Sequence, residues 1–203
     1  MRILIRCEIG GNHGLGHAVR MRALARALGA RGVQVGFVTK TPALAAFVAP
    51  LPLVEALYHS VAFRTLDVYV LDTKDPCRSD RRWRARGIYI VRIDDPSATP
   101  DTSDLLIGPC FHWDEVAVQR LRLDFGERLL YGWDYVILDP EVTAQVPVPY
   151  VERENGPLVF CAGGSDPDGL LRRMYHWAAF LEIPTPLVFL QGRYAMDGPV
   201  ASD

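Results

Sequence analysis

Six short apolar runs, each closed by turn-forming residues, leave this chain few ways to fold: Ile3–Cys7, Val33–Thr39, Val68–Leu71, Ile88–Ile93, Leu105–Ile107 and Leu129–Tyr131. Runs of that length between turn signals read as strands. Helical patterns lie between several of them. From His17 to Ala30 the apolar residues Val19, Ala23, Leu24, Ala27 and Leu28 recur at helical spacing among Arg20, Arg22 and Arg26. Thr41 is placed to cap a second helix, Ala43–Val48, which Pro50 and Pro52 end. A third is expected over Ser79–Arg86, stopped by Gly87. The succession of strand, helix and strand predicts an α/β protein with a doubly wound parallel sheet.

The composition fits such a core. Of 203 residues, 49% are apolar and 23% charged, the balance of ordinary globular chains. The net charge of -2 offers nucleic acid no overall attraction, so any anion site must be local. The first residues carry Glu8 and glycines where a secretion signal needs its apolar stretch. No run approaches the roughly 18 apolar residues of a membrane span. A cytoplasmic protein that does not engage a membrane is expected. Cys7, Cys77, Cys110 and Cys161 show no metal-ligand spacing and read as reduced thiols, with Cys7 and Cys161 in buried strands.

The stretch 139–157 holds four prolines and little periodicity, as an interdomain linker does. A boundary near Val148 gives an N-terminal Rossmann-like domain, 1–147, and a second segment, 148–203. That segment contains one βαβ unit: a strand at Leu158–Ala162, a helix at Pro167–Leu181 and a strand at Leu187–Leu190. It lies near the lower limit at which a domain buries enough surface to stand alone. Support from the first domain, from a second copy or from another chain is expected.

Chemistry concentrates where strands meet helices. The segment Gly10–Arg20, GGNHGLGHAVR, joins the first strand to the first helix. Gly14 and Gly16 permit close approach of a ligand to the backbone, and the helix terminus favours an anion. The same terminus disfavours an imidazolium, which makes His17 a candidate general base. Arg20, three residues on, shares its helix face and could hold a substrate anion. Gly163, Gly164, Ser165 and Asp166 repeat the pattern after the strand at Leu158, with Ser165 a hydroxyl donor and Asp166 an alternative helix cap. NAD is disfavoured, since Val19 replaces the third glycine of the dinucleotide motif and the second strand runs into Lys40 rather than an acid. No metal or cofactor is implied.

Taken in order, GLGHAVR, LARALGARG, VLD, IDD, SDLLIGP, LLYGWDYVILDPE and CAGGSDPDGL resemble the nucleotide-sugar hydrolases of pseudaminic acid synthesis and the related spore-coat polysaccharide proteins. The resemblance covers roughly residues 1–175. It implies a GT-B fold, two facing Rossmann-like domains. It also implies a histidine, here His17, that assists water in attacking the anomeric carbon while UDP leaves a diacetamido-trideoxy sugar. Gly163, Gly164 and Ser165 match the family's phosphate loop, and Asp72, Asp94 and Asp95 its strand-end aspartates. The chain departs from the pattern at Thr73 and Lys74, at Asp139, at Gly169, and in a second domain that ends after one βαβ unit. The family's uracil and ribose segments have no counterpart.

The expected function is therefore hydrolysis of a UDP-activated diacetamido-trideoxy sugar in surface-polysaccharide or nonulosonic acid synthesis. The alternatives are a glycosyltransferase-like enzyme on another nucleotide sugar and a noncatalytic truncated relative acting as a partner subunit. The arginines around Trp83, from Arg78 to Arg86, read as a solvated helix face. Trp177 and Phe180 read as packing residues, and His59, His112 and His176 as incidental.

Overall fold

A computed structural model of the chain describes residues 1–9, 15–39, 41, 43–49, 66–73, 83–109, 112–147, 149, 156–164, 166, 168–181 and 183–192. The chain divides into two compact units, Met1–Glu8 with His17–Pro140 and Ile9–Gly16 with Glu141–Asp203. In the first, all six expected strands form: β1 (Arg2–Cys7), β2 (Gln34–Val38), β3 (Val68–Asp72), β4 (Tyr89–Ile93), β5 (Leu105–Gly108) and β6 (Leu129–Tyr131). They make one parallel sheet in the order β2-β1-β3-β4-β5-β6. With the helices α1 (Gly16–Gly29), α2 (Ala43–Val48) and α3 (Glu115–Phe125), this is a Rossmann-like α/β arrangement.

Parallel strands must be covered on both faces, and the central strands show it. Every residue of β1 after Arg2 is buried, as are the last four of β3 and β4. One core gathers Leu4, Val38, Tyr69, Leu71, Ile88 and Ile90 around Trp83. Trp83 is thus a core residue, 5.9 Å from the Tyr69 ring, rather than part of a solvated face. Arg86 lies over the indole and Arg84 pairs with Asp104 at 2.8 Å. Arg78, Arg81 and Arg82 are outside the described residues, as is the first half of the expected helix Ser79–Arg86.

A second core, of Ala98, Leu106, Trp113, Val118, Leu121 and Phe125, rests on α3, which the sequence reading did not include. Asp114 caps α3 by accepting from the Ala117 N–H at 2.7 Å, and Gly126 at φ 56° stops it. In α1 the buried face is made of Ala18, Met21, Ala23 and Ala25, while Val19 is exposed.

The second unit holds β7 (Leu158–Cys161) and β8 (Leu187–Leu190), parallel and joined through α4 (Leu170–Phe180). The Phe160 and Phe189 rings stack at 4.9 Å and Tyr175 of α4 meets Phe189 edge-on. Val159, Cys161, Val188 and Leu190 alternate with these residues and are exposed. Cys161 therefore differs from the expected buried thiol. Trp177 and Phe180, 58% and 85% exposed, are not the packing residues expected of them. A short sheet with one helix has only one face covered, which leaves alternate apolar positions in solvent. Among the described residues no helix is long and apolar enough to cross a membrane.

Close packing makes one position in the first unit intolerant. A Cβ on Gly108 would lie 2.6 Å from ring atoms of both Trp113 and Tyr131, which stack on each other at 5.2 Å. Gly108→Ala is expected to lower the unfolding free energy by about 1–3 kcal/mol, measured by urea denaturation; an unchanged midpoint would show that the rings can part freely.

Candidate functional site

The strand order places a topological switch between β1 and β3, because the chain goes to β2 on one side of β1 and to β3 on the other. Open parallel sheets bind ligands outside the carboxyl ends of strands at such a point. His17 and Arg20 arrive there on the first turn and a half of α1, one helical turn apart on the same face. Asp72 arrives as the last residue of β3, fully buried.

These three side chains form one hydrogen-bonded group. Arg20 grips Asp72 with a fork, Nε to Oδ2 and an outer nitrogen to Oδ1, both at 2.6 Å. His17 Nδ1 lies 2.5 Å from the same Oδ1. His17 Nδ1 is also 3.1 Å from the Arg20 guanidinium. A guanidinium and a carboxylate contact one ring nitrogen, and the carboxylate decides its state. A bare lone pair on Nδ1 would face Oδ1 at hydrogen-bond distance, whereas an Nδ1–H donates to it. This assignment makes Nε2 the basic atom of His17. Burial opposes the charge on Arg20, but its hydrogen bonds and attraction to Asp72, reinforced by Asp94, outweigh that cost and hold the guanidinium protonated.

The remaining Arg20 nitrogen donates to Asp94 Oδ2 at 3.1 Å. Asp94 follows β4 with a left-handed backbone, φ 61°, anchored by its N–H to the Ile107 carbonyl at 2.8 Å. Its other oxygen lies 3.2 Å from His112 Nε2. Asp95, the neighbour expected at the site, instead accepts from Arg92 at 2.7 Å and from Ser97. Arg20, expected to meet a substrate anion, has all three nitrogens engaged by carboxylates of the protein. His112, read as incidental, joins the group through Asp94; its only sequence signal is its place just past the end of β5.

The glycine turns meet within the second unit. A Cβ on Gly164 would be 2.8 Å from Leu15 Cβ and 2.9 Å from the Leu15 nitrogen, so glycine is required there by packing. Among the described residues, a Cβ placed on Gly16 meets nothing within 4 Å beyond its own helix and chain neighbours. Gly163 has φ 81°. Asp166 accepts from the N–H groups of Leu170 and Leu171 at 2.8 and 3.0 Å, capping α4 and taking donors that an anion there would need. His13, Gly14 and Ser165 lie outside the described residues, as do Lys74, Cys77 and Cys110. Asp139, a departure from the family pattern, pairs with Arg26 of α1 at 3.0 Å. Among the described residues no group of three or more His, Cys, Asp or Glu side chains is placed to hold a metal ion.

Cys7 ends β1 in register with Asp72. Burial pushes its thiol well above the usual range, the charges of Asp72 and Glu8 push it further, and Arg20 opposes them. The fold keeps a proton that the unfolded chain releases, so Cys7 withdraws stability as pH rises above the ordinary thiol value. In the native protein at about pH 9, iodoacetamide is expected to label the exposed Cys161 and leave Cys7 untouched until denaturant is added; peptide mass spectrometry reads each site. Removing the buried carboxylate strands Arg20. Asp72→Ala is expected to cost about 3 kcal/mol, partly recovered when Arg20→Leu is added, which paired denaturation curves would show. No protein-family model and no curated protein matches the chain, so the geometry of this site carries the functional reading.

Proposed function

We propose that the chain is a nucleotide-sugar hydrolase of the GT-B type, in which His17 activates water for attack on the anomeric carbon of a UDP-diacetamido-trideoxy sugar. The observation that carries the reading is the contact of His17 Nδ1 with the buried Asp72 carboxylate at 2.5 Å. A carboxylate on one ring nitrogen fixes the tautomer and leaves the other nitrogen to accept a proton. Water loses a proton to His17 Nε2 as its oxygen attacks the anomeric carbon. As the new C–O bond forms, the bond to the diphosphate breaks, its electron pair going to the departing oxygen, which leaves as UDP. A nucleoside diphosphate is a good leaving group, so a base and charge stabilisation suffice.

The family resemblance at GLGHAVR and CAGGSDPDGL supports the choice of substrate. The same reading takes Gly163, Gly164 and Ser165 as the family's diphosphate loop and Gly14 and Gly16 as substrate-binding positions. A second reading, a noncatalytic partner subunit, draws on the exposed Val159, Cys161, Val188 and Leu190 positions. Turnover separates the two. Purified protein is expected to release UDP from UDP-diacetamido sugars, and His17→Asn to slow release by about 10²–10⁴-fold. An unchanged rate in that variant removes His17 as the base, and no release or UDP binding by the intact chain favours the partner role.

A further inference from the structure

A buried aspartate can orient a histidine only if its own carboxylate is held, because the last torsion of an aspartate side chain is broad and roughly two-fold. Among the described residues, the hydrogen bonds to the Asp72 carboxylate come from Arg20 and His17. The two contributions differ in kind. His17 reaches one oxygen, Oδ1, through one ring nitrogen, a contact about which the carboxylate plane could still turn. Arg20 reaches both oxygens at once, Nε on Oδ2 and Nη2 on Oδ1, each at 2.6 Å, and so fixes the plane. Oδ1 is thereby kept facing His17.

The guanidinium is itself held at its far corner. Nη1 donates to Asp94 Oδ2 at 3.1 Å, and Asp94 is pinned in its left-handed turn by its own N–H on the Ile107 carbonyl. A planar group with one edge on Asp72 and the opposite corner on Asp94 cannot rotate without breaking a bond to a carboxylate. Arg20 Nη2 and His17 Nδ1 lie 3.1 Å apart because both donate to Oδ1, so the fork also sets where the imidazole stands. Lysine in the same place would bring a single ammonium, which carries the charge but no plane.

We propose that Arg20 is a positioning residue: through the shape of its fork rather than its charge, it holds Asp72 so that His17 stays in the Nδ1–H tautomer with Nε2 as the accepting atom. The inference rests on the reading of His17 as the base, but its first test needs no substrate. Long-range proton–nitrogen NMR on the full chain at about pH 9, above the ordinary histidine range, reports which ring nitrogen of His17 carries the proton, and His17→Asn assigns the signal. The wild type is expected to show one tautomer, protonated at Nδ1. Arg20→Lys keeps the charge and should show both tautomers in exchange, with far-UV dichroism like that of the wild type. Arg20→Gln, planar but able to reach only one carboxylate oxygen, is the second variant and should behave alike. In the UDP-release assay both are expected to lose on the order of tenfold to a hundredfold in kcat with KM little changed, because every nitrogen of Arg20 is engaged by the protein. An Nε2–H tautomer in the wild type overturns the proposal without any variant. A single Nδ1–H tautomer retained in Arg20→Lys overturns it as well, and so does a raised KM at unchanged kcat, which would mark Arg20 as the holder of the substrate anion. Mixed tautomers in Arg20→Lys, with no turnover of any UDP-sugar by the wild type, sink the hydrolase reading alone and leave the positioning role standing.

Discussion

A carboxylate with no exposure to water, Asp72, is the constraint around which the rest of the site is arranged. Buried in the sheet edge without partners it would cost several kcal/mol. Arg20 and His17 supply those partners from a single helix face, which fixes the rotation of α1 relative to β3. The same pairing determines which nitrogen of His17 can act as a base. It also consumes the guanidinium, so a charge that looks available in the sequence is structural in the fold. Cys7, beside Asp72 in the sheet, is held as a neutral thiol by the same burial and by the same negative charge.

Much of the first unit was legible because its signals are local. The strands come from apolar runs between turns, and all six formed within a residue or two of their expected limits. The meeting of His17 with Asp72 was suggested only loosely, by placing one after β1 and the other at the end of β3; the sheet order, with its switch between those strands, makes them neighbours. The α3 helix was legible too, in Asp114 as cap, Val118, Leu121 and Phe125 at helical spacing, and Gly126 as stop.

What was not legible depends on distance in the chain. Asp94 and Asp95 are adjacent and chemically alike, and only the left-handed turn at Asp94 sends one carboxylate to Arg20 and the other to Arg92. His112 reaches the site through that same turn, 18 residues from Asp94 in sequence. Cys161, Trp177 and Phe180 were misread for a different reason. An apolar residue in a strand or helix is expected to be buried, but a sheet of two strands with one helix has too little surface to bury them all.

The segment that leaves β8 meets the glycine turn backbone to backbone. A Cβ on Gly192 would sit 2.3 Å from the Gly163 carbonyl oxygen and 2.4 Å from that of Gly164, while Gly164 is itself pressed on Leu15. Contacts of this kind have no side-chain rotamer to absorb displacement. Gly192 lies just past the end of β8, which pairs in parallel with β7, so the contact ties the glycine turn to the small sheet through main chain alone. A side chain at Gly164 or Gly192 would therefore have to displace main chain rather than turn a rotamer.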